Sequence, residues 1–143
     1  RRDTIFYSVI FVFIFLNIIG NFKEAAKEKF NPRMPEEQTF VLAVDWIKNN
    51  TPATGSILSR RANWVYVYTG GYHGLKLLRT KDAHTQFKYI VDNKVRYIII
   101  DQNKIYRDDA RDYLFPLVAK YRDNFEMVYV TPMKPETWVY KVK

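Results

Sequence analysis

The chain of 143 residues carries 23 lysines and arginines against 15 acidic residues, a formal charge of +8, and no cysteine. That composition excludes disulfides, thiolate metal centres and cysteine nucleophiles, and it favours anionic partners such as lipid headgroups or phosphorylated molecules. Nucleic acid is not an expected partner, because the basic residues spread from Lys23 to Lys143 and form no stripe interleaved with aromatics.

The first element is a stretch of nineteen residues without a charge, Thr4 to Phe22. At about 1.5 Å per residue such a helix nearly crosses a hydrocarbon core of about 30 Å, so one transmembrane helix surrounded by membrane lipid is expected. A signal peptide is the competing reading, but Lys23-Glu24-Ala25-Ala26-Lys27 stands where a small-residue cleavage site belongs. Residues 1–30 are assigned to the membrane helix and its extension, 31–35 to a linker with two prolines, and 36–143 to one soluble α/β domain.

Within that domain, Phe40, Val41, Val44, Ile47 and Lys48 recur at helical spacing behind Glu36 and Glu37, which predicts a helix over 36–49. Ser56 to Ser59 reads as a short strand and Leu75 to Leu78 as a second. Between them, Ala62 to Thr69 is read as a short helix and Gly70-Gly71-Tyr72-His73-Gly74 as a loop. Asp82 caps a helix with Ala83, Phe87, Ile90 and Val91 inward, and Val95 to Asp101, apolar on both faces, reads as a central parallel strand. Ala110, Tyr113, Leu114, Leu117, Val118 and Tyr121 share one helix face, which Pro116 kinks or divides. Two strands, Phe125–Thr131 and Thr137–Val142, close the chain as antiparallel neighbours across a short connection. The expected fold class is a three-layer α/β domain with a mostly parallel five-stranded sheet. Its strand order is 2-1-3-4-5, and the last strand is antiparallel at the edge.

No dinucleotide, nucleotide, zinc-protease or serine-hydrolase motif occurs. His73 and His84 lack a carboxylate pattern beside them, so no metal is expected, and Asp108, Asp109 and Asp112 read as first-turn helix-capping acids. The candidate ligand-binding residues are Ser59, Arg60 and Arg61, which end the first strand, and Asp101, which ends the most apolar one. In open α/β sheets ligands bind beyond the carboxyl ends of the strands, and paired arginines suit an anion. The alternative is that Arg60 pairs with Asp101 or lies along the surface.

Four segments, Asp45–Pro52, Gly55–Arg60, Trp64–Gly70 and Val95–Asp101, follow a last hydrophobic helix in this order. Together they resemble the C-terminal soluble region of polytopic membrane glycosyltransferases of the dolichyl-phosphate-mannose protein mannosyltransferase type, over roughly residues 4–142. The resemblance implies a polyprenyl-phosphate-linked sugar donor for the parent enzyme, with an essential acidic residue in a first extracytoplasmic loop outside this chain. No catalytic residue and no cofactor is therefore assigned to the fragment. Its implied partners are the rest of the membrane enzyme and an acceptor protein or glycan. The implied location is extracytoplasmic, although Lys23, Lys27, Lys29 and Arg33 outnumber Arg1 and Arg2 and by themselves favour the cytoplasmic side. The competing function is a membrane-tethered module that binds a small anionic ligand.

Overall fold

A computed structural model describes residues 35–52, 54–103 and 107–143, which belong to the unit Pro35–Lys143. The expected membrane helix and, apart from Pro35, the expected linker lie outside the described residues. Among the described residues no helix is long and apolar enough to cross a membrane.

Helix α1 (Pro35–Asn50) starts at a proline, whose missing N–H costs nothing in a first turn. It buries Thr39, Phe40, Ala43, Val44 and Ile47 as one stripe. At its end, Asn50 Nδ2 donates to the Trp46 carbonyl at 2.8 Å and Thr51 Oγ1 to the Ile47 carbonyl at 2.6 Å, which satisfies acceptors the helix leaves open. Strand β1 (Ser56–Ser59), helix α2 (Ala62–Thr69) and strand β2 (His73–Lys76) follow. The glycine-rich segment is not simply a loop. Gly70 closes α2 at φ 69°, its N–H bonded to the Tyr66 carbonyl, while Gly74 lies inside β2. A Cβ at Gly74 would stand 1.9 Å from the Ala62 carbonyl oxygen, so the strand passes the start of α2 at a distance only glycine permits. β2 thus lies two residues earlier than the expected 75–78.

Helix α3 (Ala83–Asp92) is capped by Asp82, whose carboxylate accepts from the N–H groups of His84 and Thr85 at 3.1 and 3.2 Å. The expected inward Val91 is 56% exposed, and Gln86 is buried instead. Gln86 sits four residues before the buried Ile90, and its Nε2 donates to the carbonyls of Leu78 and Thr80 at 3.0 and 2.7 Å. A polar side chain thus takes a core position because it ties down the loop from β2. Strand β3 (Val95–Asp101) is buried at every residue but Arg96. Helix α4 (Arg107–Asp109), a π-helical turn (Ala110–Leu114) and helix α5 (Phe115–Lys120) form one interrupted rod. The wide turn, with the Phe115 N–H bonded to the Ala110 carbonyl, lets the helix restart with Pro116 in its first turn, where an absent N–H is harmless.

Strands β4 (Phe125–Val130) and β5 (Thr137–Val142) form the expected antiparallel hairpin. The strand order, however, is β2-β1-β3-β5-β4. The sheet is mixed: β1 runs parallel to β2 and β3, whereas β5 runs antiparallel to both β3 and β4. The last strand is antiparallel as expected but lies inside the sheet, and the fourth takes the edge. A short hairpin dictates that the two strands pair, not which of them meets β3. Burial decides that choice. In β5, Thr137 and Val139 are fully buried with Trp138 and Tyr140 half-buried, whereas β4 presents Glu126, Met127 and Val130 to solvent.

The three layers follow from β3. Tyr97 and Ile99 join Phe40, Ile47, Ile57 and Val65 in the core beneath α1 and α2. Ile98 and Ile100 join Leu58, Ile90, Leu114 and Leu117 in the core on the other face.

Val139→Ala is expected to cost about 2 kcal/mol or more through lost burial and the cavity left behind. Met127→Ala on the edge strand should stay within about 0.5 kcal/mol, as for other exposed positions. Urea unfolding of the two variants checks this contrast, which reverses if β4 is the inner strand. The hydrogen bond from Thr85, followed by the backbone N–H groups of His84 and Thr85, holds the Asp82 carboxyl below its ordinary range. Asp82 therefore stabilises the fold above the unfolded carboxylate pKa and loses that contribution as pH falls through its lower folded value. The stability gap between wild type and Asp82→Ala should be widest at neutral pH and close under acid, as thermal melts across a pH series will read.

Candidate functional site at the carboxyl edge of the sheet

The chain leaves β1 for α2 on one face of the sheet and leaves β3 for α4 and the π turn on the other. Between two neighbouring strands whose connections part in this way, α/β sheets open a crevice at their carboxyl ends. All four candidate residues, Ser59, Arg60, Arg61 and Asp101, stand at this edge. β5 enters there as well, with Thr137 opposite Asp101.

Ser59 is buried, and its Oγ accepts the Arg61 N–H at 3.1 Å, which turns the backbone out of β1 and into α2. Arg61 Nε lies 2.9 Å from Asp101 Oδ2, with the side chains 6% and 1% exposed. The guanidinium carbon also lies 5.2 Å from the Phe40 ring centre and 5.3 Å from that of Trp64. Asp101 uses its other oxygen, Oδ1, to accept the Asn103 N–H at 2.9 Å, which shapes the turn after β3. Such a pair offsets the cost of removing two charges from water only because the carboxylate takes further hydrogen bonds and the guanidinium is flanked by aromatic faces.

Arg60 does not pair with Asp101. Successive side chains at a strand end point to opposite sides, so Arg61 takes the inward position and Arg60 turns to Asp109, with which it forms an ion pair. Arg79 Nη2 reaches the same oxygen, Asp109 Oδ2, at 3.1 Å. Asp109 makes no side-chain capping bond to the helical turn that follows it. Its neighbours Asp108 and Asp112 both engage Arg111, at 3.2 and 2.9 Å. These acids do stand in first turns, as expected, and each also forms an ion pair.

A further polar group at this edge is buried. Thr137 Oγ1 donates to Thr39 Oγ1 at 3.1 Å, and the Thr137 N–H donates to Thr131 Oγ1 at 2.8 Å. These hydroxyls tie α1 to the base of the β4–β5 hairpin. Sequence reasoning missed Arg79, Thr39 and Thr137, and it read Asp109 only as a capping acid. Arg79 carried a usable signal, because it follows a strand that ends at the same edge; the threonines carried none, since nothing in their spacing marks a contact between residues 39 and 137. The histidines lie elsewhere. His73 is exposed on β2, and His84 Nδ1 stands 3.3 Å from the Tyr121 hydroxyl. Among the described residues no group of three or more His, Cys, Asp or Glu is placed to hold a metal.

No family model matches the sequence, and no curated protein matches it. Among solved structures, the chain is similar to the C-terminal globular domain of an oligosaccharyltransferase from Archaeoglobus fulgidus. Identity is 14%, the match covers 71% of this chain and 95% of that one, and the TM-score is 0.43.

Removing one partner of a buried ion pair takes away the other's counter-charge, so Arg61→Ala and Asp101→Ala are each expected to cost about 3–5 kcal/mol. Replacing both with apolar residues of similar volume, Arg61→Met with Asp101→Leu, should cost less than the sum of the single losses. A double-mutant cycle in urea measures this coupling, and additive losses would show that the pair does not act as a unit.

Proposed function

We propose that residues 36–143 form a non-catalytic domain of a membrane glycosyltransferase, which transfers a sugar from a polyprenyl-phosphate donor to a protein or glycan acceptor. The domain's part in that reaction is to assist acceptor recognition on the extracytoplasmic side. One observation carries the reading: the segments that resemble the mannosyltransferase type are neighbours in space as well as in order. Asp45–Pro52 spans the end of α1 and the residues after it, Gly55–Arg60 holds β1, Trp64–Gly70 covers most of α2 and Val95–Asp101 is β3. Their inward residues Ile47, Ile57, Val65, Tyr97 and Ile99 build one core. A likeness scattered through unrelated parts of a fold would be weaker support than one that coincides with a single packed layer and its sheet.

The chemistry of the edge agrees with a supporting role. In this reading Arg61 and Asp101, which pair with each other and shape the turns around them, serve the architecture, and the sugar-transfer step falls to other parts of the enzyme. The uncharged Thr4–Phe22 stretch supplies the membrane attachment that this reading needs, with lipid and the remaining membrane segments as partners.

In membranes carrying the complete enzyme, deletion of residues 36–143 should lower sugar transfer most strongly at limiting acceptor. Binding of the polyprenyl-phosphate donor should be kept. A radiolabelled-sugar transfer assay run at several acceptor concentrations checks this, and unchanged transfer across that range would remove the assisting role.

A further inference from the structure

The two borders of the sheet are built differently. At the β4 border the register on β5 shifts between Met127 and Tyr129, which interrupts the row of backbone groups. At the β2 border the register on β1 is regular, from His73 opposite Ser56 to Lys76 opposite Ser59. The His73 N–H donates to the Gly55 carbonyl at 3.4 Å. Backbone groups of successive strand residues point to alternate sides, so those of His73 and Leu75 face β1 and those of Gly74 and Lys76 face away from the sheet. The Tyr89 hydroxyl reaches the Lys76 carbonyl at 3.5 Å. Among the described residues, the Gly74 N–H and carbonyl and the Lys76 N–H have no hydrogen-bond partner. β2 contains neither a proline nor an acidic residue, so what guards this border against indiscriminate pairing is its length of four residues and the Lys76 charge.

An uncharged helix flank adjoins these open groups. The start of α2 lies against Gly74, while α1 sits over the other half of the sheet, with Trp46 stacked on Tyr129 and Thr39 bonded to Thr137. Trp64 turns toward α1, where it meets the Phe40 ring edge-on at 6.3 Å, and Tyr68 follows it one turn later. Ala62, Val65 and Thr69 are buried. Helical spacing then puts Tyr66 on the flank of α2 away from α1, above the β2 border, with Val67 beside it. These two side chains are 66% and 50% exposed. From Ala62 to Leu75 the sequence has no acidic residue, lysine or arginine. Open backbone groups two residues apart, roughly 6.6 Å along the strand, match the repeat of an extended chain and not of a lipid or a sugar.

We propose that the β2 border is a docking edge for an extended, uncharged peptide segment of a partner protein, which adds to the sheet as a sixth strand beside Gly74 and Lys76. Main-chain bonds hold the segment, and its apolar side chains on the α2 side of the sheet rest against Tyr66 and Val67. The partner's identity as a protein acceptor rests on the function proposed above; the strand pairing does not.

The test uses the full chain in phosphatidylcholine nanodiscs and a fluorescein-labelled eight-residue peptide of alternating valine and threonine, read by fluorescence anisotropy. Saturable binding is expected. The same peptide N-methylated at every amide lacks the donors and should bind about tenfold more weakly or worse, the worth of two hydrogen bonds. In Lys76→Pro the ring fills the place of the outward N–H without taking a ladder bond from β1, so the thermal midpoint should hold while affinity falls about tenfold or more. Tyr66→Ser, at an exposed side chain, should weaken binding about fivefold. Met127→Ser on the opposite border should leave it unchanged. No saturable binding by the wild type, equal binding of the N-methylated peptide, or full binding by Lys76→Pro would overturn the proposal. The N-methylated peptide leaves the fold untouched and decides the matter even if Lys76→Pro fails to fold. In the complete enzyme, Lys76→Pro should also lower sugar transfer to a protein acceptor; lost peptide binding with unchanged transfer would keep the docking edge and remove the acceptor role.

Discussion

The buried pair of Arg61 and Asp101 is the constraint on which the rest of the carboxyl edge depends. It joins the turn out of β1 to the end of β3, and the rings of Phe40 and Trp64 beside it bring in α1 and α2. Four elements thus meet on one guanidinium. A planar, permanently charged group suits this task, because it bonds in its plane and stacks on its faces, which an ammonium does not do. Ion pairs of this kind add little net stability compared with an apolar core, but they penalise every arrangement that leaves one charge alone. The pair thereby selects one register of β1 against β3, and with it the positions of Arg60 and the turn at Asn103.

Much of the fold was legible in the sequence because long, strongly patterned segments report their own environment. Val95–Asp101 reads as a central strand from its apolar run, and Asp82 reads as a cap because its carboxylate finds local N–H groups. What escaped was set by contacts between distant segments. Gly74 lies in a strand because of Ala62, Gln86 is buried because of carbonyls in the preceding loop, and Val91 is exposed because Gln86 took the inward place. The same holds at the edge. Residue types and strand ends brought Ser59, Arg60, Arg61 and Asp101 to one region, yet which arginine meets which carboxylate depends on the direction each side chain leaves the turn. The strand before Arg79 brings it to this edge, but its choice of Asp109, thirty residues away, leaves no local trace.

The mixed sheet also resolves a difficulty of open sheets. Inserting β5 beside β3 completes an inner strand with good cover on both faces, and it leaves β4, the more polar strand, at the border. That border is not a clean template for another chain. The register of β4 on β5 shifts between Met127 and Tyr129, a bulge that interrupts the row of outward backbone groups and discourages edge-to-edge pairing. Nearby, Tyr129 stacks on Trp46 with ring centres 5.2 Å apart and nearly parallel, so α1 braces the strand at the place where the ladder is irregular.

Gly74 reaches further than its size suggests. β2 passes Ala62 closely at Gly74 and ends at Lys76, and in the loop between it and α3 Arg79 turns toward Asp109. The spare length between strand and helix is what makes that approach feasible. A methyl group added there would push β2 from α2 and shift the anchor point of the loop that carries Arg79. The smallest side chain in the domain acts as the spacer that tunes where its charge is displayed.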